Sequence, residues 1–418
     1  MTSAERQPDG GTAGPAGPGP GRRRRRRVLP WKHKRDLTPA QLRRRRMATR
    51  SALAACLTFA GTVGWSVGHA LTYPGKDSTQ ARLAEWARDH ELGFVVDRLE
   101  DLQYRMHPPK VGGTLSAGAL ARMRATAGAT PAGGAAAREP NAPLIPLHAP
   151  MKPLVSPALP GEGVYRVLAT AHGEPIVQGT YVRPDDEHTS YEAAVAWISA
   201  AHARFQLHPG FKEPGGTFDV PPTIPKGQRT GLVATWNGGF RITDGGSRGG
   251  FYLDGRTDGE LRDGAASEVF YKDGSIKIGQ WGRDVRMTPD VVGVRQCLEL
   301  MVDGGRVVPD IDDDSKWGVS DQSRMYVPRS GVGVTAQGDV VMVVGQALSA
   351  RTLAELMQRA GAVRAMPLDM NRAWPSFMSY DGTHDPSDPK PTNILDFEDP
   401  PDRYYVQATR DFVAVYAR

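Results

Sequence analysis

The chain has 418 residues, enough for two or three domains and one sizeable core. Its net charge of +6 is uneven: residues 1–50 hold 13 Arg and 2 Lys against Glu5, Asp9 and Asp36, a net +12, which leaves −6 on residues 51–418. A nucleic-acid binder carries its basic face on the folded part, so nucleic acid is excluded as a partner, and two cysteines, Cys56 and Cys297, exclude a disulfide scaffold or a cysteine zinc site.

Residues 1–50 read as a basic, Gly/Pro-rich disordered tail. Residues 51–73, "SALAACLTFAGTVGWSVGHALTY", lack Asp, Glu, Lys and Arg and match the roughly 20 apolar residues that cross a bilayer. They follow "RRRRMATR", and such clusters stay on the cytoplasmic side. The pattern predicts a single-pass signal anchor with a cytoplasmic N-terminus and an extracytoplasmic C-terminal domain. A cleaved signal peptide is the alternative, with Gly68 and Ala70 small enough for a cleavage site. Gly64 and Gly68 form a G-x-x-x-G that could pair two such helices into a dimer.

Residues 74–107 predict an interrupted juxtamembrane helix, with Leu83 and Trp86 on one face, Gly93 as a break, then Val95, Leu99, Leu102 and Met106 at helical spacing. The Ala/Gly/Pro-rich stretch 108–160 reads as a flexible stalk. From 161 to 418 short apolar runs alternate with turns. "TSYEAAVAWISAAHARF" predicts an amphipathic helix from Thr189 or Ser190. Six Asp-Gly steps, at 244, 254, 258, 263, 273 and 303, mark tight turns in a strand-rich meander, clearest in "EVFYKDGSIKIGQ". They lack the pattern of a calcium loop.

The acidic run Asp310, Asp312, Asp313 and Asp314 suits a solvated loop and leaves a divalent cation such as calcium open; no other cofactor is called for, and any metal ligands stay unknown. "GVGVTAQGDVVMVVG" predicts a strand pair. "TLAELMQRAG" predicts a helix with Thr352 as N-cap, Glu355 closing a capping box and Gly361 ending it. "AVRAMPLD" predicts a strand that delivers Asp369 at its end. The fold class is therefore α+β: one ectodomain with a mixed β-sheet flanked by helices and a hairpin-rich region.

No histidine lies between His208 and His384, and Cys297 sits in an apolar run, so a Ser-His-Asp or Cys-His centre is excluded there. Carboxylates, arginines, amides and backbone N–H groups remain. That set suits glycosyl transfer, in which carboxylates handle protons, and arginines suit a phosphate. Three clusters carry these groups: Asn237-Gly238-Gly239 at a strand end, Arg329-Ser330 before a strand, and Asp369 with Asn371, Arg372 and Trp374. A glycine-rich hairpin, a surface arginine and a strand-end turn account for each of them singly. Asp254 and Asp303 are candidates for a second carboxylate.

In this order the clusters resemble the phosphodiester glycosidase family. Its pattern runs Asn-Gly-Gly-Phe, Arg-Thr-x-x-Gly, a hydrophobic hairpin, a Leu-rich helix and Leu-Asp-Gly-Gly-Gly-Ser. Here these stand as Asn237-Gly238-Gly239-Phe240, Arg329-Ser330-Gly331-Val332-Gly333 and "VVMVVGQALSARTLAELMQRAGAVRAMPLD". "GQWGRDVRMTPDVVGVRQCLELMVDGG" and "TRDFVAVYAR" are similar to a bacterial, membrane-anchored subgroup, and the Arg/Ala/Gly-heavy composition suits an actinobacterium. The resemblance implies hydrolysis of a sugar-phosphodiester linkage in envelope polysaccharide or a related phosphorylated glycan. It implies Asp369, Arg329 and Asn237 as catalytic positions, with Gly238, Gly239 and Ser330 binding substrate. Met370-Asn371-Arg372 replaces the glycine triplet, so either Asn371, Arg372 and Trp374 are new contacts or the domain is an inactive glycan- or partner-binding envelope protein.

Overall fold

A computed structural model describes residues 38–125, 145–243, 245–318 and 325–418. The chain divides into two compact units, Met1–Val63 and Gly64–Arg418. The basic tail expected over 1–50 lies outside the described residues up to position 37. Helix α1 (Pro39–Thr72) has a mean hydropathy of 1.3 over its most apolar window, which makes it a candidate membrane span by length and composition.

Two helices follow, α2 (Thr79–Asp89) and α3 (Gly93–Met106). Ser78 caps α2 by accepting from the amide of Ala81, and Glu91 at φ 63° separates the pair. The break expected at Gly93 falls just before it, between Asp89 and Gly93, and Gly93 itself opens α3. The apolar face expected on α3 is not covered: Val95, Leu99, Leu102 and Met106 are exposed, and Val96 is the buried position. Helix α4 (Ala117–Arg124) comes next. Leu115, Ala119 and Met123 with Ile145 and Met151 join the main core, so both flanks of the expected stalk are packed structure. Positions 126–144 lie outside the described residues.

The strands in chain order are β1 (Arg166–Ala171), β2 (Glu174–Val182), β3 (Ala193–Ile198), β4 (Ala203–His208), β5 (Leu232–Asn237) and β6 (Phe251–Leu253). Then come β7 (Arg256–Asp258), β8 (Ala266–Tyr271), β9 (Ile276–Gln280), β10 (Val291–Gln296), β11 (Val302–Asp303) and β12 (Arg306–Val307). The last are β13 (Val327–Thr335), β14 (Val340–Leu348), β15 (Ala362–Pro367), β16 (Phe377–Asp381), β17 (Lys390–Asn393) and β18 (Phe412–Ala417), with α5 (Ala350–Arg359) between β14 and β15. They form an eight-stranded sheet ordered β1-β2-β3-β14-β13-β15-β11-β12 and two five-stranded sheets, β7-β6-β10-β8-β9 and β17-β16-β5-β18-β4. The class is α+β. The large sheet is antiparallel at every ladder rather than mixed.

The helix expected from Thr189 is instead β3 and β4. All six residues of β3 are buried between β2 and β14, a continuous apolar run that serves a strand covered on both faces. Three of the six Asp-Gly steps join paired strands, at 254 between β6 and β7, at 273 between β8 and β9 (Gly274 at φ 79°) and at 303 between β11 and β12, while Asp244 lies outside the described residues. Helix α5 forms, but its N-cap is Ser349. The Ser349 hydroxyl accepts from the Thr352 amide at 3.0 Å and the Thr352 hydroxyl accepts from the Ser349 amide at 2.7 Å. Glu355, expected in that box, lies 3.4 Å from Arg351 on the exposed face.

Helix α5 buries Leu353, Leu356 and Met357 against β13, β14 and β15 and so fixes the chain that leaves β15. Replacing Leu353 by Ala is expected to cost about 2–5 kcal/mol through lost transfer energy and the cavity left behind. Urea unfolding of the purified protein measures it as a lowered midpoint at unchanged slope.

Candidate functional site

Chain ends from all three sheets meet at one place. Strand β5 ends in Asn237, β13 carries Ser330 near its start, β15 runs out to Asp369, β10 contributes Arg295, and Arg410-Asp411 enters β18. Asn237 ties two of the sheets together: its Nδ2 donates to Ser330 Oγ at 3.1 Å, and its Oδ1 accepts from the Ser376 amide at 2.9 Å. Ser330 pairs backbone to backbone with Leu368 and Asp369, both at 2.9 Å, and its Oγ accepts from the Asp369 amide at 3.2 Å. The three segments nominated from sequence are thus hydrogen-bonded neighbours.

The Gly238-Gly239 pair is required by close packing. A Cβ on Gly238 would meet Asp411 Oδ2 at 2.0 Å, and one on Gly239 would meet the Cys297 side chain at 2.8 Å. Asp411 cannot retreat, because Arg295 Nε donates to its Oδ2 at 2.7 Å and both side chains are fully buried. The Gly238 amide donates to the Asp411 carbonyl at 2.8 Å, so it is already committed.

Asn237, Gly238, Gly239, Asp369 and Trp374 line one cavity together with Arg403, Tyr404, Arg410 and Asp411. Its volume is about 10 Å³, room for roughly one water. Asp369 Oδ2 meets Arg410 Nη1 at 2.9 Å, and its Oδ1 accepts from the Asn371 amide at 2.9 Å. Burial pushes the Asp369 carboxyl up to about 6, although Arg410 and backbone amides pull against it. The guanidinium of Arg410 lies 3.9 Å from the centre of the Trp374 ring, which walls the cavity.

The other nominated residues do not line this cavity. Arg329 is buried, with Nε donating to the Leu348 carbonyl at 2.9 Å and Nη1 3.4 Å from that of Trp317. It braces the start of β13. Ser330 stands behind Asp369, Asn371 is bonded to Glu100 of α3 at 3.0 Å, and Arg372 is exposed. None of Met370, Asn371 and Arg372 adopts positive φ. Asn371 instead caps a tight turn, its Oδ1 accepting from the Ala373 amide at 3.0 Å. Asp254 sits in the β6–β7 turn, and Asp303 lies 2.8 Å from Arg283. Asp310 is held by Lys316, and Asp312 by Arg351. A groove of about 290 Å³ beside β9 and the β13–β14 turn holds none of the nominated residues.

Sequence reasoning missed Arg403, Tyr404, Arg410 and Asp411. The segment "TRDF" holds the last two. The missing signal was an Arg-Asp pair placed immediately before an apolar strand.

Residues 230–369 match the phosphodiester glycosidase family model. That segment, which opens two residues before β5 and closes on Asp369, matches the family that the motifs resemble and supports a hydrolase-type fold. Among solved structures, the chain is similar to the catalytic domain of zebrafish N-acetylglucosamine-1-phosphodiester alpha-N-acetylglucosaminidase, described as auto-inhibited by pro-peptide. That pair is 13% identical, with 61% of this chain and 88% of that one covered and a TM-score of 0.39. A hypothetical protein from Synechocystis follows at 12% identity, with 59% of this chain and 63% of that chain covered and a TM-score of 0.33. No curated protein matches.

Beneath the site, Glu268 of β8 is fully buried, accepts from Trp236 Nε1 at 3.1 Å, and has no partner on Oε2 among the described residues. Burial pushes its carboxyl up to about 8, although the Trp236 hydrogen bond and the charge of Arg295 pull against it. With the folded value above the ordinary one, the contribution to stability is complete at acidic pH and is lost as pH rises through about 8. E268Q mimics the neutral acid. Its melting temperature is expected to fall less than that of the wild type between about pH 4.5 and about pH 8, as read by thermal unfolding across that range.

Proposed function

We propose that the chain is a membrane-anchored glycosidase that cleaves a sugar-phosphodiester linkage in envelope polysaccharide or a related glycoconjugate. In this reading α1 anchors it, with the N-terminus cytoplasmic and residues 74–418 outside. The observation that carries it is the Asp369–Arg410 pair: a carboxyl group with its pKa near 6, bonded to a buried arginine, in a cavity at the end of the family segment.

The chemistry follows from the leaving group. A phosphate monoester departs with the electron pair of the broken sugar C1–O bond and needs little protonation, while arginines stabilise its charge. Arg410 and Arg403 take that role. The carboxylate is then free to work on water: Asp369 accepts a proton as the water oxygen bonds to C1, and the products are the free sugar and the phosphomonoester. Asn237 holds Ser330 and the Asp369 backbone in register, and Trp374 offers a ring face to the sugar. Arg329, expected at the phosphate, acts instead through β13 as a positioning residue.

The test is hydrolysis of methyl diesters of hexose- and N-acetylhexosamine-1-phosphates by the full chain in detergent. D369N is expected to lower kcat by about 10²–10⁴-fold. Because the carboxylate is the working form, kcat/KM is expected to fall as pH drops through about 6. Equal rates for D369N and wild type would sink the assignment. The tight turn at Met370-Asn371-Arg372 favours a second reading, a glycan-binding module of the same fold. Saturable binding with no turnover in the wild type supports that one.

A further inference from the structure

Exposed apolar side chains are concentrated in one part of the surface. Outside α1, ten large ones are exposed among the described residues, and eight of these fall between Leu83 and Val111. Val95, Leu99, Leu102 and Met106 recur at i, i+4, i+7 and i+11, a continuous stripe along α3, and Phe94 beside them is 67% exposed. A helix of a globular protein buries such a stripe, and one left in the open marks an interaction surface. The opposite side of α3 is already used: Tyr104 packs by Met370 and Val327, and Glu100 accepts from Asn371 Nδ2 at 3.0 Å.

Chain position, depth and charge agree on what covers the stripe. Helix α3 opens 21 residues after Thr72, where the helix long and apolar enough to cross a bilayer ends. The last turns of α1 are bonded to the end of α2: Trp86 Nε1 donates to Ser66 Oγ at 2.9 Å, and His90 Nε2 lies 3.3 Å from the same oxygen. Ser66 is six residues from Thr72, so it stands about 9 Å inside the helix end. A span that ends at Thr72 therefore carries the α2–α3 turn at the level of the headgroups, where tryptophans such as Trp65 and Trp86 collect. Arg98 and Arg105, both exposed, lie seven residues apart on one side of the stripe, the arrangement of a helix that rests on anionic headgroups. The acidic groups of α3 are turned elsewhere, Asp97 to Arg88 at 2.8 Å and Glu100 to Asn371.

We infer that α3 is an interfacial helix whose apolar stripe lies in the outer headgroup layer and docks the domain on the membrane that α1 crosses. The inference goes beyond the glycosidase reading, and it rests on the anchor reading only for placing a bilayer beside α2. With lipid on one face and the Met370-Asn371 turn on the other, α3 gives the domain a second attachment besides its junction with α1. The domain then cannot turn freely about that junction. The turn that follows Asp369 is held about 10 Å, one helix diameter, from the headgroups.

The test uses the full chain reconstituted into vesicles of equal parts phosphatidylcholine and phosphatidylglycerol. A nitroxide is attached to L102C or to F94C, each in a C56S background, because Cys56 is exposed and Cys297 is buried. M287C, exposed between β9 and β10, is the aqueous control. Both α3 labels are expected to gain access to oxygen and lose access to a water-soluble nickel chelate, reading a depth of about 5–10 Å below the phosphates. Nickel access at L102C and F94C equal to that at M287C overturns the inference. Exclusion of both reagents, with dipolar broadening between L102C labels, gives the stripe to a second copy of the chain and overturns it as well. A label on Cys56 of the wild type reads the anchor by itself. Cys56 in lipid with both α3 labels in water removes the interfacial helix alone, and Cys56 in water with both α3 labels in lipid removes the anchor alone.

Discussion

The Arg295–Asp411 ion pair lies at the centre of the structure, and the site is built outward from it. Both side chains are removed from water, which is costly unless nearly every polar atom is matched. The matching is thorough: Arg295 also donates to the carbonyls of Gln296 at 2.7 Å and Phe240 at 2.6 Å. The pair joins β10 of one sheet to the entry of β18 in another. It also dictates glycine at 238, where any side chain would collide with the carboxylate. Nearby, burial pushes the Glu268 carboxyl up to about 8 against the pull of Arg295, with the Asp411 charge adding to the rise.

From that pair the geometry of the cavity follows. Asp411 is the neighbour of Arg410 in the chain, so pinning one fixes the backbone of the other. Arg410 then reaches Asp369, which arrives from the eight-stranded sheet on the far side of Ser330. Asn237 closes the circuit by bonding Ser330 and the Ser376 amide. An acid held between desolvation and a guanidinium ends near neutral pH, where a proton can move either way at small cost. The arrangement thus converts a structural ion-pair network into a titratable group at a cavity wall.

Much of this was legible in the sequence where local rules decide the outcome. Asp-Gly turns fixed the hairpins, the strand pair around Gly338 formed as read, and Asp369 stands just past its strand. The misreadings occur where tertiary placement decides. Residues 193–198 have helix-compatible composition, yet their place between β2 and β14 makes them a fully buried strand. Arg329 and Arg410 look alike as sequence: each precedes an apolar strand. Only the fold tells them apart, because Arg329 turns toward the carbonyls of Leu348 and Trp317 while Arg410 turns toward Asp369.

Glu85 shows the same limit over a longer range. In sequence it is one acidic residue on an amphipathic helix 325 positions before Arg410, and a helix of that kind normally places its charges in water. Here the order is inverted: the Glu85 carboxylate of α2 points inward and the apolar stripe of α3 points outward. Inversion makes sense if the surface beneath is itself cationic, since burying the apolar stripe against arginines would strand their charges without partners. The arginines Arg410 and Arg241 are therefore covered by the carboxylate of Glu85.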